Sequence, residues 1–219
     1  METKKVAVIG GGAAGFFAAI SVKENHPSHQ VILFEKSSKV LSKVRISGGG
    51  RCNVTHDCSD IPTLCEAYPR GGKKLKSLFY QFSKSDTVDW FESRGIPLKT
   101  EKDGRMFPKS NNSQSIIDCL ESEIDRLKVD LKMGQAIERI EEDGMGWKLN
   151  FKDQPYQKFD MVIIATGGSP KITGFDWLKN LGHNIIPPVP SLFTFNTVSY
   201  THLRAHETEA DLVCRLLLE

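Results

Sequence analysis

Gly10, Gly12 and Gly15 stand at G-x-G-x-x-G spacing, directly after the apolar run Val6–Ile9 and at the head of a stretch rich in alanine and phenylalanine. Each glycine answers a separate demand of a bound dinucleotide. The first allows a tight turn, the second leaves room for a pyrophosphate beside the backbone, and the third lets a helix pack close to its strand. Ala13 and Ala14 would open that helix and present unpaired N–H groups, with the positive end of its dipole, to the phosphates. Glu35 lies about 20 residues beyond Gly15, the offset this pattern needs. It closes a second apolar run, Gln30–Phe34. A carboxylate there accepts hydrogen bonds from ribose hydroxyls and repels a 2′-phosphate. Lys36 adjoins it in the same candidate site. The bare alternative is a glycine turn in an α/β fold that binds no nucleotide.

Two further glycine segments carry candidate chemistry. Ser47, Gly48, Gly49, Gly50, Arg51, Cys52 and Asn53 are contiguous. Successive glycines can turn backbone N–H groups toward an anion or a carbonyl. Arg51 can pair with phosphate or with charge on a reduced cofactor, and Asn53 offers both a donor and an acceptor. These two are the candidates for tuning the reaction, and no general acid or base is assigned. Ala165, Thr166, Gly167 and Gly168 follow a third apolar run, Met161–Ile164, and read as a turn facing the cofactor. Cys52 has no cysteine at dithiol spacing, since the next is Cys58, so it reads as structural. His56 is either an acid/base near substrate or a plain loop histidine. His202 and His206 have helical spacing but no third ligand nearby, and no metal site is expected.

These residues need a scaffold that brings strand ends together. Strand, glycine turn, helix and strand over residues 4–36 form a βαβ core. Residues 37–56 read as loop, with the glycine loop at 46–56. A helical and hairpin segment spans 70–128. It holds helical spacing in 72–83 and 85–94, a hairpin over Leu98–Pro108 turning at Asp103-Gly104, and an amphipathic helix over Ser113–Leu127. Short strands near 129–133, 136–141 and 146–151 are assigned to a small β insert at 129–158. The return strand and its turn cover 159–170.

The string I-S-G-G-G-R-C-N at Ile46–Asn53, with G-R-M-F-P at Gly104–Pro108 and the A-T-G-G turn, resembles a family of bacterial flavoproteins. These are the BaiN-like or aminoacetone-oxidase-like NAD(P)/FAD-dependent oxidoreductases. The order of elements is similar to FAD proteins of the two-dinucleotide-binding type. The resemblance runs from about Val6 to about Asn196. It implies an α/β fold: a Rossmann-like FAD-binding domain with a small β-sheet insert. FAD would lie extended, its pyrophosphate along Gly10–Gly15 and its ribose at Glu35. Ser47–Asn53 would run toward the flavin, and Ala165–Gly168 would close over it. The resemblance also implies a small organic substrate, with NAD(P)H as a candidate electron donor or oxygen as acceptor. Members of the family are longer. Residues 1–197 are therefore expected to be a truncated, incomplete FAD-binding domain. Residues 198–219 depart from the pattern and resemble a translated sequencing-adapter read, so they are expected to be non-native. The alternative is a terminal helix with Leu203, Val213, Leu216 and Leu217 on one face.

Global properties narrow the field. Lys and Arg number 29 against 27 Asp and Glu in 219 residues, a formal charge of +2. That balance exerts no pull toward nucleic acid or anionic lipid. No apolar run reaches membrane-spanning length, and the N-terminus lacks the signal-peptide pattern. Five irregularly spaced cysteines fit a reducing compartment. The expectation is a cytoplasmic FAD-dependent oxidoreductase with a small-molecule substrate and neither a membrane nor a nucleic-acid partner. Two alternatives stay open. One is an RNA-modifying flavoprotein using the basic stretch Arg70, Lys73, Lys74, Lys76 and Lys84, interleaved with Phe79, Tyr80 and Phe82. The other is a truncated fragment that binds flavin weakly or not at all.

Overall fold

The computed structural model describes residues 2–69, 71–152, 154–169 and 172–187. The expectations for Arg70, for Pro170 and for the 198–219 tail lie outside the described residues. The first unit is β1 (Lys5–Ile9), α1 (Ala13–Asn25) and β2 (Gln30–Phe34). Then come α2 (Ser42–Gly50), β3 (Thr55–His56), α3 (Ile61–Glu66), α4 (Gly72–Phe79) and α5 (Lys84–Glu92). The hairpin β4 (Leu98–Thr100) and β5 (Arg105–Pro108) leads to α6 (Ser113–Arg126), β6 (Asp130–Lys132) and β7 (Ile137–Asp143). The chain continues through β8 (Gly146–Phe151), β9 (Gln157–Phe159), β10 (Met161–Ile164), a 3₁₀ turn over Ile172–Phe175 and α7 (Asp176–Asn180).

The main sheet has the order β10-β1-β2-β6 and is parallel throughout. Parallel strands covered on both faces must be apolar at every position, which is why VAVI and QVILF are continuous runs. Alternation still divides them. Val6, Val8, Val31 and Leu33 face the helices, against Phe16, Ile20 and Ile117. Ala7, Ile9, Ile32 and Phe34 face the other way, against Leu149, Phe151 and Phe159 of the antiparallel sheet β7-β8-β9. Phe34 makes ring contacts there with Phe151 at 5.2 Å and Phe159 at 5.8 Å. The small sheet thus covers the far face of the main sheet, and its first strand starts close to the C-terminal end of β2.

Three local assignments change. Residues 129–133 belong to the main sheet, because β6 pairs in parallel with β2 (Ile32↔Asp130 to Phe34↔Lys132). The small insert therefore begins only at β7. Residues 37–56 are not all loop: α2 is helical from Ser42, and its backbone leaves helical geometry at Ser47, Gly48 and Gly49. Packing overrides its weak propensity. Leu41 and Val44 are buried beneath it, and Ser113 Oγ at the start of α6 donates to Arg45 O at 2.8 Å. A short helix, α3, also forms where none was expected. Asp60 caps it, accepting from Thr63 N–H at 2.9 Å.

An ion cluster ties α1, α5 and α6 together. Arg94 donates to Glu123 at 3.0 Å and to Glu24 at 2.5 Å, and Arg126 donates to Glu123 at 2.6 Å. The Arg94 guanidinium also lies 3.9 Å from the Trp90 ring centroid. Glu123 is 8% exposed. The Arg126 bond holds its carboxyl below the ordinary value of 4.5, overcoming burial, with Arg94 adding to the effect. A carboxylate with a lowered folded pKa stabilises the fold above its unfolded value and loses that contribution as pH falls. Glu123→Gln should therefore cost about 1.5–3 kcal/mol at neutral pH. In urea denaturation, the gap to wild type should close as pH drops below the range of a free carboxylate.

Candidate functional site

Two of the three glycine segments, the first turn and the A-T-G-G turn, meet at the C-terminal ends of β1 and β10, while Ser47–Asn53 packs on the β4–β5 hairpin. In an open parallel sheet this edge is where ligands bind. Gly10 has φ +116°, and a Cβ there would sit 2.4 Å from Ala165 O, so the first turn and the A-T-G-G turn are in backbone contact. Ala165 N–H donates to Ile9 O at 2.8 Å. A Cβ on Gly15 would lie 1.8 Å from Gly10 O, so only glycine permits this approach of α1 to β1. Gly12 differs, with φ −93° and nothing within 4 Å of its Cβ direction. The first and third glycines are thus required by the fold, and the second leaves space.

At the N-terminus of α1 the first internal bond runs from Phe16 N–H to Gly12 O at 3.0 Å. Among the described residues the N–H groups of Ala13, Ala14 and Gly15 find no acceptor, and no side chain caps the helix. Exposed N–H groups at the positive end of a helix suit an anion.

Glu35 contributes more than a ribose acceptor. Gly11 N–H donates to its Oε2 at 2.7 Å, and both Ser37 N–H and Ser37 Oγ donate to its Oε1 at 2.8 Å. The carboxylate thus shapes the first turn while retaining lone pairs toward the cavity. Burial pushes its pKa up, but the bonds from Ser37 and Gly11 prevail and leave it below the ordinary carboxylate value. It is ionised at neutral pH.

The start of α2 is anchored on the same turn. Leu41, at φ +54°, donates its N–H to Gly11 O at 2.8 Å. Gly48, Gly49 and Gly50 all have positive φ. A Cβ on Gly48 would strike Phe107 at 2.8 Å, whereas one on Gly49 would meet nothing within 4 Å. Phe107, fully buried, is the floor of the loop.

Arg51 is held rather than free. It pairs with Glu101 at 2.5 Å, and its guanidinium lies 4.0 Å from the Phe107 ring centroid. Its visible task is to clamp the glycine loop to the hairpin, a partner that sequence spacing does not reveal. Asn53, in the orientation that satisfies its amide, donates to Thr55 O at 2.9 Å and Met106 O at 3.2 Å. Cys52 has φ +64° and donates its N–H to Ser47 O at 3.0 Å. Burial pushes its thiol pKa up, so it is a poor nucleophile. His56 is within 3.1 Å of Asp103 O and packs on Gly104, which ties it to the hairpin turn.

Two residues escaped sequence reasoning. Lys43, exposed on α2, places Nζ 3.8 Å from where a Cβ on Gly167 would project. Among the described residues no carboxylate pairs with it. A lysine one turn before the glycine loop gave no motif signal; only the fold brings it to the A-T-G-G turn. A cation there neutralises phosphate charge. Lys43→Ala should weaken ADP binding about 5- to 20-fold, in keeping with the loss of one charge-assisted contact, and flatten its salt dependence. Isothermal titration at two ionic strengths measures both. The second residue, Gln135, lines a cavity of about 300 Å³ with Phe34, Glu35, Lys36, Ala136, Thr166, Gly167 and Gly168.

The family model described as the HI0933-like protein Rossmann domain matches residues 4–218. The chain belongs to the HI0933-like family. The matched range runs through the segment that the sequence reading set apart as non-native. This HI0933-like chain is 27% identical to a 3-dehydro-bile acid delta(4,6)-reductase of Clostridium scindens over an alignment covering 98% of the chain and 53% of that protein. A ribosomal RNA dihydrouridine synthase of Escherichia coli is 27% identical over 89% of the chain and 48% of its own length. The HI0933-like chain thus spans about half the length of these curated relatives. A solved flavocytochrome c3 fumarate reductase superposes with a TM-score of 0.55 at 24% identity, over 76% of this chain and 34% of that one. The Thermovibrio ammonificans THI4 structure gives 0.51 at 13% identity, over 81% of this chain and 62% of that one. The architecture is the expected Rossmann-like α/β fold of FAD-binding flavoproteins.

Proposed function

We propose that the site binds FAD and that the protein is an FAD-dependent oxidoreductase acting on a small organic substrate. The observation that carries this reading is the meeting of the first glycine turn and the A-T-G-G turn at one strand-end crevice, with Gly12 leaving its Cβ direction open. The residues present fit the group. The N–H groups at the start of α1 face the pyrophosphate position, and Glu35 and Lys36 border the ribose end. The cavity beside β2 would take the base, and Ala165–Gly168 would flank the diphosphate. Ser47–Asn53 would approach the flavin.

Bound FAD supplies hydride or electron transfer, and the chain supplies orientation and field. Its residues then have distinct tasks. The α1 N-terminus and Lys43 offset diphosphate charge. The Arg51–Glu101 pair fixes the glycine loop, whose backbone would offer N–H groups toward the flavin. Buried Phe107 excludes water beneath that loop. The names of the relatives, a delta(4,6)-reductase and fumarate reductases, support a reductive direction over oxidation by oxygen; NAD(P)H as the donor is part of the proposal and rests on the family resemblance alone. A cytoplasmic location is proposed from the balanced charge and the free thiols. Among the described residues, no helix is long and apolar enough to cross a membrane.

One observation favours a second reading. Lys73, Lys74 and Lys76 are exposed on α4, beside exposed Leu78 and Tyr80, and a relative is named a ribosomal RNA dihydrouridine synthase. Lys84, by contrast, is paired with Asp57 at 2.8 Å. Salt-dependent RNA binding lost in Lys73→Ala/Lys74→Ala/Lys76→Ala would support RNA as substrate; no gel shift at low salt would count against it.

The test of the main reading is FAD titration of the purified chain, followed by flavin fluorescence and the visible spectrum. Quenching to one FAD per chain with a perturbed flavin band is expected. A chain that binds neither FAD nor ADP would overturn the reading. A chain that binds ADP but stays colourless with FAD would support the incomplete-fragment alternative.

A further inference from the structure

We infer that the cavity between β3 and the helices α3, α4 and α5 is a binding site for a flat, ring-bearing organic carboxylate, its rings against an aromatic wall and its carboxylate at Lys84. That such a ligand is the substrate of the proposed oxidoreductase rests on the reading above; that the cavity binds it does not.

The helices α3 and α4 carry Leu64, Leu75, Leu78 and Phe79, yet neither buries a residue. An apolar helix face is ordinarily covered by the core. Here Leu64 of α3 and Phe79 of α4 border a cavity of about 420 Å³ instead, within the range of small-molecule sites. Tyr68 and Phe82 complete this wall. The Tyr68 and Phe79 ring centroids are 5.7 Å apart, and Phe82 is held by an edge contact to Phe17 of α1 at 5.3 Å. Tyr68 and Phe82 are nevertheless 42% and 40% exposed. Large aromatic side chains left open beside a cavity gain by covering a further ring system.

The rest of the lining is polar, from Asn53, Thr55, Ser83, Lys84 and Thr87. Most of these groups are already engaged. Asn53, in its satisfied orientation, donates to Thr55 O and Met106 O. Ser83 Oγ donates to Asp86 at 2.6 Å, and Thr87 Oγ1 donates to Ser83 O at 2.9 Å. Lys84 is different. Among the described residues its ammonium has one partner, Asp57 Oδ1 at 2.8 Å, and Asp57 does not line the cavity. An ammonium carries three donors, so two remain for a ligand. The Lys84 side chain is 19% exposed, and a cation partly withdrawn from water attracts a carboxylate more strongly than one at the open surface. The Thr55 hydroxyl, with no side-chain hydrogen bond among the described residues, supplies a further donor. An aromatic wall facing a cation selects a ring-bearing anion over its neutral analogue. Asn53 also ends the glycine loop, so the cavity begins at the segment proposed to approach the flavin.

The probes are 2-naphthoate and its uncharged counterpart 2-naphthamide, titrated calorimetrically into the 219-residue chain. Naphthoate should bind saturably and about 5-fold more tightly than naphthamide, the scale of one partly exposed charge contact. Lys84→Met should bring the two within about 2-fold of each other. Phe79→Ala should weaken both by about 5-fold or more. Neither side chain is buried, so both variants should melt close to wild type. Hydrogen exchange should show protection by naphthoate at 61–68 and 79–87, and ADP affinity should be the same with and without it. No saturable binding, an undiminished preference in Lys84→Met, or protection confined to other segments would overturn the assignment. Competition between naphthoate and ADP would place the carboxylate in the dinucleotide crevice and overturn it as well. Naphthoate binding as described in a chain that does not bind ADP would sink the dinucleotide reading and leave this one standing.

Discussion

Gly12→Val will fold and will fail to bind the dinucleotide. Gly12 has φ −93° and ψ −176°, extended geometry that valine adopts readily. Among the described residues no atom lies within 4 Å of its Cβ direction, so a Cβ there enters open space. Replacing glycine at a helix N-cap by valine costs on the order of 1 kcal/mol, and the melting temperature should fall only slightly. The space that valine fills is the one in front of the unpaired N–H groups of Ala13, Ala14 and Gly15. ADP and FAD affinity should drop by about 100-fold or more, some 2.7 kcal/mol. Circular dichroism with ADP calorimetry checks both halves. Retained affinity would remove the phosphates from this turn.

Gly15→Ala, three residues on, should fail for the opposite reason. Its Cβ would come within 1.8 Å of Gly10 O and 3.3 Å of Leu33 Cδ1. The first obstacle is backbone, so no side-chain rotation relieves it, and α1 must move off β1. That shift would disturb Phe16 and Ile20, both fully buried against Val8 and Leu33. Overpacking of this kind costs roughly 3 kcal/mol or more, a large part of the stability of a single domain. The variant should be insoluble or melt far below wild type. Gly168→Ala is the matched control: nothing lies within 4 Å of its Cβ direction and its φ is not positive, so its stability should hold. Equal melting of Gly15→Ala and wild type would contradict the packing described for the first turn.

The contrast between these glycines shows what sequence could and could not reveal. The βαβ core was legible because strand, turn and helix are local, and the parallel sheet writes itself as unbroken apolar runs. The three-residue β6 was not. Its partner β2 lies about a hundred residues away, and so short a strand carries no period of its own, so proximity assigned it to the neighbouring insert. The glycine loop announced itself by composition, but the short helix before it did not, because it is held by Leu41, Val44 and the start of α6 and not by its own propensity. Among site residues, the glycines and Glu35 were marked by spacing. Arg51 was credited with freedom that Glu101 and Phe107 remove. Lys43 and Gln135 were passed over because one becomes relevant only when α2 crosses the A-T-G-G turn, and the other only when the β6–β7 connection docks on Glu35. Motifs encode what the backbone must do locally; which polar side chain reaches the crevice is settled by tertiary contacts.

The most direct measurement is a crystal structure of the chain grown with ADP. The account predicts the diphosphate against the N–H groups of Ala13–Gly15 within reach of Lys43, the ribose at Glu35, and the base in the cavity between Phe34 and Gln135. Nucleotide density anywhere other than this crevice, at saturating ADP, would contradict it.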